Sequence, residues 1–554
     1  MATSRLKSRL LRYAPFLAFA LLVLVLLLSS TLSKHAPEIE GISPQIGNSG
    51  GELVISGRFF GESRNGGFVS VGGISPATSS YQWSDAEIRF TVPREMVGGI
   101  VKIMTKHGES REVVCFTNKN QLPVVVLGPQ KPGEPYIARI EPNSGAVGGT
   151  VTISGLNFGL ARANDSRVFF SWVAGETGGT YASADTMIAA KELDYDYVAW
   201  TDREIQVRVP DGATTGNVRV MTDKGMSNAA FFEVDDRAGT KLYDAKVSYI
   251  VQREIDLKVI RAEKDNGLYL WVPLIADRPQ QRNFQPIAVE PEPFAEDYRG
   301  FMLFHLEELE QGKRYSVLYS VMYDRYAVKT RIVESRLRTS YDVSSRLYQT
   351  YTNADPLVPS SDQAVEKVAA ALARGVKSPY SKAWRVYDYV VERLAYAVNP
   401  QNESVPAAIE SRVGDARTYA LLFSALARAA GIPARPVAGY LVSDPKKRTV
   451  QPHYWAEFYL EKVGWVPVDP VLADGLRFGD FPSGGSLKSD YFGGMDNRHI
   501  ALHAGLPALK QWNPKGKTIR VEGQATFQPI HEESVGNLRA YSSNWGEVEI
   551  LGVY

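Results

Sequence analysis

Residues 453–470 read HYWAEFYLEKVGWVPVDP, two apolar runs separated by a short polar turn. Runs of this length, rich in aromatic and β-branched residues and interrupted by glycine or proline, are typical of β-strands. We therefore expect strands at residues 453–460 and 464–468, after an earlier strand at residues 436–440. The end of the chain is thus predicted to hold a strand-rich segment.

Two helices are predicted before these strands. Ser378 can cap a helix, Pro379 suits its first turn, and apolar residues follow at helical spacing. A second helix is expected after Gly414, with Asp415 as its cap and a stop at residues 431–433. The change from helices to strands predicts a mixed α+β domain.

These residues also match a known family in order and spacing. The matching segments are Gly414-Asp415-Ala416, Tyr419-Ala420, Gly431-Ile432-Pro433-Ala434-Arg435, Gly439-Tyr440, His453-x-Trp455-x-Glu457 and residues 464–470. They resemble the transglutaminase-like family over about residues 360–475. The resemblance implies an α+β fold of papain-like type that runs acyl transfer or amide hydrolysis through a Cys-His-Asp triad. We expect the extension at residues 476–554 to complete this core.

The resemblance assigns roles to the three positions of the triad. His453 would be the acid/base group, and Asp469 would be the carboxylate that fixes its tautomer and orientation. A cysteine is expected at position 416, where the positive end of a helix would favour a thiolate, but the residue there is Ala416. The side chains expected around the ligand cleft are Trp455, Glu457, Trp465 and Tyr419.

Alanine has no nucleophilic atom, so covalent catalysis is not expected at Ala416. Thr418 would point to another side of the helix, Asp415 would cap it, and Cys115 belongs to a separate β domain. None of the three is expected to replace the nucleophile. The alanine is either native to a pseudoenzyme that keeps its cleft for binding, or an introduced change in an active enzyme.

Two copies of one pattern lie in the first half of the chain. Residues 42–61 contain I-x-P, G-G, I-S-G and a final glycine, and the same pattern returns at residues 140–159. WSDAEI at residues 83–88 returns as WTDREI only at residues 200–205, so the second copy contains an insertion between the two patterns. Each copy predicts one β domain.

The repeated pattern resembles IPT/TIG domains, which are immunoglobulin-like β-sandwiches, at residues 37–118 and 135–235. Family members bind proteins, glycans or DNA, or space other domains, so the fold alone assigns no activity. The insertion of the second copy is rich in aromatic residues around Tyr181 and at residues 195–200. That insertion is the best candidate for contacts with a partner.

Two other regions carry weaker patterns. Residues 240–342 predict a β-sandwich-like domain and look like the strand-rich region that often precedes a bacterial transglutaminase-like core. In the tail, Asp496, His499 and His503 lie close in sequence, and two histidines four apart would suit zinc on a helix. Neighbouring glycines and the lack of a third ligand favour ordinary packing. We predict no metal site and no cofactor.

Charge and hydropathy bear on location and partners. The chain has 62 basic and 61 acidic residues, a formal charge of +1, which gives nucleic-acid binding no support. Residues 13–33 are uncharged and follow a basic segment at residues 1–12, a pattern that predicts a membrane anchor with a cytoplasmic N-terminus. A cleaved signal peptide, which would give a secreted protein, is the alternative. The single cysteine, Cys115, excludes an internal disulfide.

These observations predict a multidomain fold: all-β immunoglobulin-like sandwiches followed by an α+β transglutaminase-like (papain-like) domain, with an N-terminal transmembrane helix. The leading hypothesis is a membrane-anchored, extracytoplasmic and catalytically inactive scaffold. Its partner would be a protein, a peptide or a cell-envelope polymer. The alternatives are a cysteine acyltransferase or peptidase of the transglutaminase-like superfamily, and an adhesin that binds through its IPT/TIG domains.

Overall fold

The computed structural model describes residues 35–76, 81–93, 96, 98–118, 133–175, 187–398, 404–476, 487–505 and 509–554. The segment predicted to cross the membrane, residues 13–33, lies outside these ranges. Within them, no helix combines the length and the apolar character needed to span a bilayer. The chain forms two compact units, which are Met1–Gln130 with Thr177–Tyr181, and Lys131–Glu176 with Ala182–Tyr554.

The first unit contains a β-sandwich. Its strands are β1 (Glu38–Ser43), β2 (Ile46–Gly47), β3 (Glu52–Arg58), β4 (Phe68–Val71), β5 (Gln82–Trp83), β6 (Glu87–Thr91), β7 (Gly98–Thr105), β8 (Gly108–Glu109) and β9 (Val114–Asn118). One sheet has the order β1-β3-β6-β5 and the other β2-β9-β7-β4, with β8 beside β7. Alternate residues such as Leu53 and Ile55 of β3 and Val101 of β7 meet in one apolar core, as expected for packed sheets.

The second unit begins with a sandwich of the same arrangement. Its strands are β10 (Tyr136–Glu141), β11 (Ser144–Gly145), β12 (Thr150–Leu156), β13 (Arg167–Ser171), β14 (Met187–Ala189), β15 (Tyr197–Trp200), β16 (Glu204–Arg208), β17 (Gly216–Thr222), β18 (Gly225–Met226) and β19 (Ala230–Val234). The sheets have the orders β10-β12-β16-β15 and β11-β19-β17-β13-β14. Strand β14 comes from the insertion that the sequence repeat predicts.

Long strands and a helical region follow. The next strands are β20 (Gly239–Pro273), β21 (Gln281–Glu290), β22 (Phe301–Glu307) and β23 (Arg314–Ile332), and a short 3-10 helix at Glu334–Arg336 comes after them. The helices are α1 (Arg346–Thr352), α2 (Gln363–Ala373), α3 (Pro379–Arg393), α4 (Val405–Ser411), α5 (Ala416–Ala429), α6 (Pro470–Ala473) and α7 (Leu487–Asp490). The remaining strands are β24 (Ala395–Tyr396), β25 (Val413–Gly414), β26 (Ala434–Asp444), β27 (Thr449–Leu460), β28 (Gly464–Val468), β29 (Gly494–Met495), β30 (His499–Ala504), β31 (Lys517–Ile519), β32 (Glu532–Trp545) and β33 (Glu549–Val553).

The tail of the chain divides between two sheets. Strand β30 joins the sheet β28-β27-β26-β30, whereas β32 and β33 pair with β20 and β29 pairs with β23 in an eight-stranded sheet. The extension predicted to complete the transglutaminase-like core therefore also completes the middle β region. That region was expected to be a separate sandwich, but its strands form one sheet with the tail. Strand β20 is 35 residues long, so it can pair both with strands of the middle region and with strands of the tail.

Helix α5 is the centre of the α+β domain. It contacts β26 and β27 on one side and α2, α3 and α4 on others. Twelve of its residues are buried, from Ala416 to Arg428, as expected for a helix that is apolar on nearly all faces. Ser378 caps α3 and Asp415 caps α5, as the sequence predicts. The start of α5 is thereby fixed beside the strands that carry the other predicted site residues.

Candidate active site

Ala416 is the first residue of α5, so its position lies at the positive end of a helix. The carboxylate of Asp415 accepts hydrogen bonds from the backbone N–H and from the hydroxyl of Thr418, each at 2.8 Å. Two of the three side chains considered as substitute nucleophiles, Asp415 and Thr418, are therefore occupied in capping the helix. The methyl group of Ala416 is buried in the apolar core.

His453 lies on β27, directly opposite Gly439 of β26. On the other side of β26, a Cβ atom at Gly439 would come within 1.9 Å of the carbonyl oxygen of Ile500 on β30. Only glycine therefore allows β26 and β30 to approach this closely. The imidazole is fully buried, and its Nε2 lies 2.6 Å from Oδ2 of Asp469. In this pairing Nε2–H donates to the carboxylate, and acid/base chemistry would fall to Nδ1.

Asp469 joins three parts of the site. Its Oδ1 caps α6 by accepting the backbone N–H groups of Val471 at 3.0 Å and Leu472 at 3.1 Å. Its Oδ2 accepts from Nε2 of His453 at 2.6 Å and from Nε2 of His499 at 2.9 Å. Burial alone would raise the pKa of Asp469, but the two imidazoles outweigh it and hold the pKa below its ordinary value.

His499 is held between two carboxylates. Its Nε2 faces Asp469, and its Nδ1 lies 2.8 Å from Oδ1 of Asp496. Burial opposes the charged form, yet Asp496 and Asp469 raise the pKa of His499 to about 9. Asp496 also accepts the hydroxyl of Tyr491 at 2.8 Å, and its pKa falls to about 2 because His499 outweighs the effect of burial. From the sequence alone, Asp496 and His499 were interpreted as ordinary packing residues, with a zinc site as the alternative.

The two tail histidines, four residues apart, do not lie on a helix. His499 and His503 lie on strand β30, where four residues span about 13 Å instead of one helical turn. His503 stacks on Phe301, with ring centres 4.2 Å apart. Donor atoms of His453, Asp469 and His499 do lie within 4.8 Å of one another, a spacing that a metal ion could bridge. Their contacts of 2.6 and 2.9 Å are hydrogen-bond distances.

Two of the four predicted cleft residues, Trp455 and Tyr419, differ in their relation to this network. The ring of Trp455 is buried and meets His499 edge-on at 5.2 Å, and it lies 6.2 Å from the ring of His453. Tyr419 instead lies one helical turn beyond Ala416, where its hydroxyl contacts Asp474 Oδ2 at 2.9 Å. Trp455 belongs to the network, whereas Tyr419 fixes α5 to the end of α6.

The other two predicted cleft residues lie in a buried charged cluster. Glu457 accepts hydrogen bonds from Arg278 and, at 3.0 Å, from Arg435. The guanidinium of Arg435 lies 3.7 Å above the ring of Trp465 and donates to Asp194 at 2.5 Å. Asp194 belongs to the insertion of the second sandwich. Glu457 and Trp465 therefore hold Arg435, and Arg435 in turn binds the second sandwich through Asp194.

Further contacts of the insertion are also intramolecular. The hydroxyl of Tyr351 donates to the carbonyl of Leu193 at 2.9 Å, and Thr350 donates to the hydroxyl of Tyr195 at 2.9 Å. Tyr181, the other aromatic residue singled out in the insertion, lies outside the described residues. The described part of the insertion thus docks the second sandwich onto the α+β domain.

A segment of the tail covers the start of α5. Phe527 is 4% exposed, and its ring lies 5.4 Å from that of Tyr454, the residue after His453. The guanidinium of Arg417, the residue after Ala416, lies 5.9 Å from the centre of the Phe527 ring. The hydroxyl of Tyr454 donates to the carbonyl of Gln524 at 3.4 Å. Residues 524–527 therefore pack against the neighbours of both predicted catalytic positions.

Comparison with known proteins gives family matches for three segments. The transglutaminase-like superfamily model matches residues 366–470, and the IPT/TIG domain model matches residues 37–122 and 135–234. The search of curated proteins found no match. A proposed cysteine protease from Cytophaga hutchinsonii is 18% identical, and the similarity covers 56% of this chain and 93% of that chain with a TM-score of 0.38.

Two other solved structures show similarity at comparably low sequence identity. The periplasmic domain of TgpA from Pseudomonas aeruginosa is 15% identical over 60% of this chain and 93% of that chain, with a TM-score of 0.27. SGBP-B from a complex xyloglucan utilization locus in Bacteroides uniformis is 10% identical over 54% of this chain and 100% of that chain, with a TM-score of 0.13. The family matches confirm both resemblances seen in the sequence: the chain contains two IPT/TIG domains followed by a transglutaminase-like domain.

Proposed function

We propose that the transglutaminase-like domain of this protein is catalytically silent and binds a protein, a peptide or a cell-envelope polymer without forming a covalent bond to it. The observation that carries the proposal is Ala416 at the first position of α5. A thiol at such a helix start would be favoured as a thiolate, and alanine supplies no atom that can attack a carbonyl.

The surroundings of Ala416 support this proposal. Thr418 and Asp415 hydrogen bond to each other in the cap of α5 and cannot readily serve as nucleophiles. The pair of His453 and Asp469 is intact, but an acid/base pair alone does not form an acyl-enzyme. A transglutaminase-like site without its nucleophile can still present a shaped and polar surface to a ligand.

We also propose that the protein is held at the membrane with its domains outside the cytoplasm. Support comes from the basic residues 1–12 and the uncharged residues 13–33. A reporter enzyme that is active only outside the cytoplasm, fused after residue 554, should be active in intact cells. Activity of a cytoplasmic reporter at the same position would refute this placement, and loss of the first 33 residues from the mature protein would favour a secreted form.

Restoring the nucleophile tests the catalytic part of the proposal. The unmodified protein should give no turnover of a glutamine-donor peptide and no labelling of the site by a thiol-directed probe. Ala416→Cys should react with the probe, and His453→Ala in that background should abolish the reaction. Ala429→Cys, at the other end of the same helix, is the matched control because it lies at the negative end of the dipole. Turnover by the unmodified protein would refute the proposal.

The intact His453–Asp469 pair favours one alternative, a cysteine acyltransferase or peptidase in which Ala416 is an introduced change. Full turnover by Ala416→Cys would support that alternative. A thiol at position 416 that reacts with the probe but gives no turnover, in a protein that still folds, would support a binding module.

A further inference from the structure

His499 lies between two carboxylates, one at each of its ring nitrogens. Its Nε2 is 2.9 Å from Oδ2 of Asp469 and its Nδ1 is 2.8 Å from Oδ1 of Asp496. An ionised carboxylate can only accept hydrogen bonds, so both ring nitrogens must donate. A ring that donates from both nitrogens is an imidazolium. The geometry therefore makes His499 a buried cation.

This cation shares one oxygen with the predicted catalytic pair. Oδ2 of Asp469 accepts from His453 at 2.6 Å as well as from His499 at 2.9 Å. The negative charge that would otherwise stabilise a protonated His453 is thus partly compensated from the other side. Removing His499 would leave Asp469 Oδ2 with the imidazole of His453 and without the compensating cation.

The charged and titratable groups that face His499 come from four segments of the chain. They are Asp469 at the cap of α6, Asp496 and Tyr491 before β30, His453 on β27, and Arg325 of β23, which donates to the carbonyl oxygen of His499. The two carboxylates contact the ring itself, whereas Arg325 contacts only the backbone. The ring of His453 lies 5.4 Å from that of His499. A raised pKa of about 9 for His499 agrees with the hydrogen-bond geometry.

We infer that His499 is a positioning residue of the site: as a buried imidazolium at neutral pH it partly compensates the charge of Asp469, the carboxylate that holds His453. This inference rests on the proposed function only in taking His453 and Asp469 as the working pair of the domain. It adds a third and a fourth residue, His499 and Asp496, to the pair that the family pattern identifies.

Nitrogen-15 NMR of histidine rings in the full chain tests the inference without any need for turnover. The chain has seven histidines, which single substitutions to glutamine can assign. At pH 7 the ring of His499 should show protons on both nitrogens and should lose one of them only near pH 9. In His499→Gln, the signals of His453 should move toward the doubly protonated pattern relative to the unmodified protein at the same pH. A merely structural role of His499 would not move them.

His305→Gln is the matched control, because the ring of His305 stacks on Tyr269 at 3.9 Å in a different part of the same unit. It should leave the signals of His453 and His499 unchanged. If His499→Gln fails to fold, Asp496→Asn keeps an acceptor beside Nδ1 but removes its charge. That variant should lower the pH at which His499 titrates.

Three results would overturn the inference. The first is a His499 ring with a single proton at pH 7, and the second is an unchanged His453 spectrum in folded His499→Gln. The third is an Nε2 without a proton that regains it on treatment with EDTA, which would mean that a metal ion links the three side chains. Turnover by the unmodified protein would refute the proposed function and leave the NMR result standing.

Discussion

Replacing Arg435 by methionine tests whether motif residues of the transglutaminase-like domain serve to dock the second IPT/TIG domain. The Arg435 side chain is 5% exposed and contacts Glu457 at 3.0 Å and Asp194 at 2.5 Å. It also lies 3.7 Å above the ring of Trp465. Methionine keeps much of the apolar stem and removes the charge, so the substitution isolates the ionic part of the contact.

The expected loss follows from the charges left behind. In the unmodified protein Arg435 and Arg278 balance Asp194 and Glu457. Without Arg435 one buried carboxylate has no cationic partner, which costs about 3–5 kcal/mol. Loss of the cation–π contact with Trp465 adds about 1 kcal/mol. The free energy of unfolding should therefore fall by about 4–6 kcal/mol.

Urea unfolding, monitored by tryptophan fluorescence, measures this change in the free energy of unfolding for the part of the protein that contains Trp465. With an m-value of about 3 kcal/mol/M, the midpoint should fall by about 1–2 M. Arg393→Met is the matched control, since Arg393 is an exposed arginine on α3 and should change stability by less than about 0.5 kcal/mol. A loss below about 1 kcal/mol for Arg435→Met would refute the reasoning.

Asp194→Asn tests the same charge balance, because it should destabilise the unmodified protein but stabilise the Arg435→Met variant. Asp194→Asn alone should destabilise the protein because it leaves Arg435 with one carboxylate fewer. Added to Arg435→Met, it should restore part of the lost stability, because it removes the carboxylate that has no partner. Additive losses in the double variant would show that the two side chains do not interact.

Three further outcomes follow from the site. Phe527→Ala should expose the start of α5, so a thiol introduced by Ala416→Cys should react with a maleimide at least about tenfold faster; equal rates would show that Phe527 is not a cover. Asp415→Ala should cost about 1 kcal/mol in urea unfolding by removing the cap of α5, and an unchanged midpoint would contradict that role. The contribution of His499 to stability should be complete below its ordinary pKa of 6.5 and should be lost as pH rises through about 9. The contribution of Asp496 should be complete above its ordinary pKa of 3.8 and should be lost as pH falls toward about 2. Urea midpoints should therefore be highest between these limits, and an alkaline fall that persists in His499→Gln would contradict the assignment.

Local signals in the sequence predicted the elements that depend on nearby residues. Ser378 and Asp415 cap helices three residues or fewer from the N–H groups that they bind. The strand at residues 464–468 has the predicted bounds because Gly464 and the Asp469-Pro470 pair delimit it locally. Apolar periodicity and capping residues carry this information within a single turn or strand.

Side-chain contacts between residues far apart in the sequence could not be predicted from the same patterns. Glu457 has the spacing of a cleft residue, but its partner Arg278 lies 179 positions away. The insertion of the second IPT/TIG domain has the composition of a partner-binding surface, but Asp194 binds Arg435, 241 positions later. His499 was interpreted through its spacing to His503, whereas its partner Asp469 lies 30 positions before it on another element. Each of these contacts depends on how sheets and domains meet, which a single sequence does not specify.

Retention of His453 and Asp469 has a structural reason that does not require catalysis. Asp469 caps α6 through Oδ1 and joins β27 to β30 through Oδ2, so its loss would affect the fold whether or not position 416 carries a thiol. Asp469→Asn should cost about 3 kcal/mol, because the buried His499 cation loses one of its two carboxylates. His453→Gln removes one hydrogen-bonded partner and should cost only about 1–2 kcal/mol. Urea unfolding of both variants beside the unmodified protein checks this order. If Asp469→Asn lies within about 0.5 kcal/mol of the unmodified protein, the carboxylate is not kept for stability, and selection for chemistry or ligand binding becomes the better explanation of the intact pair.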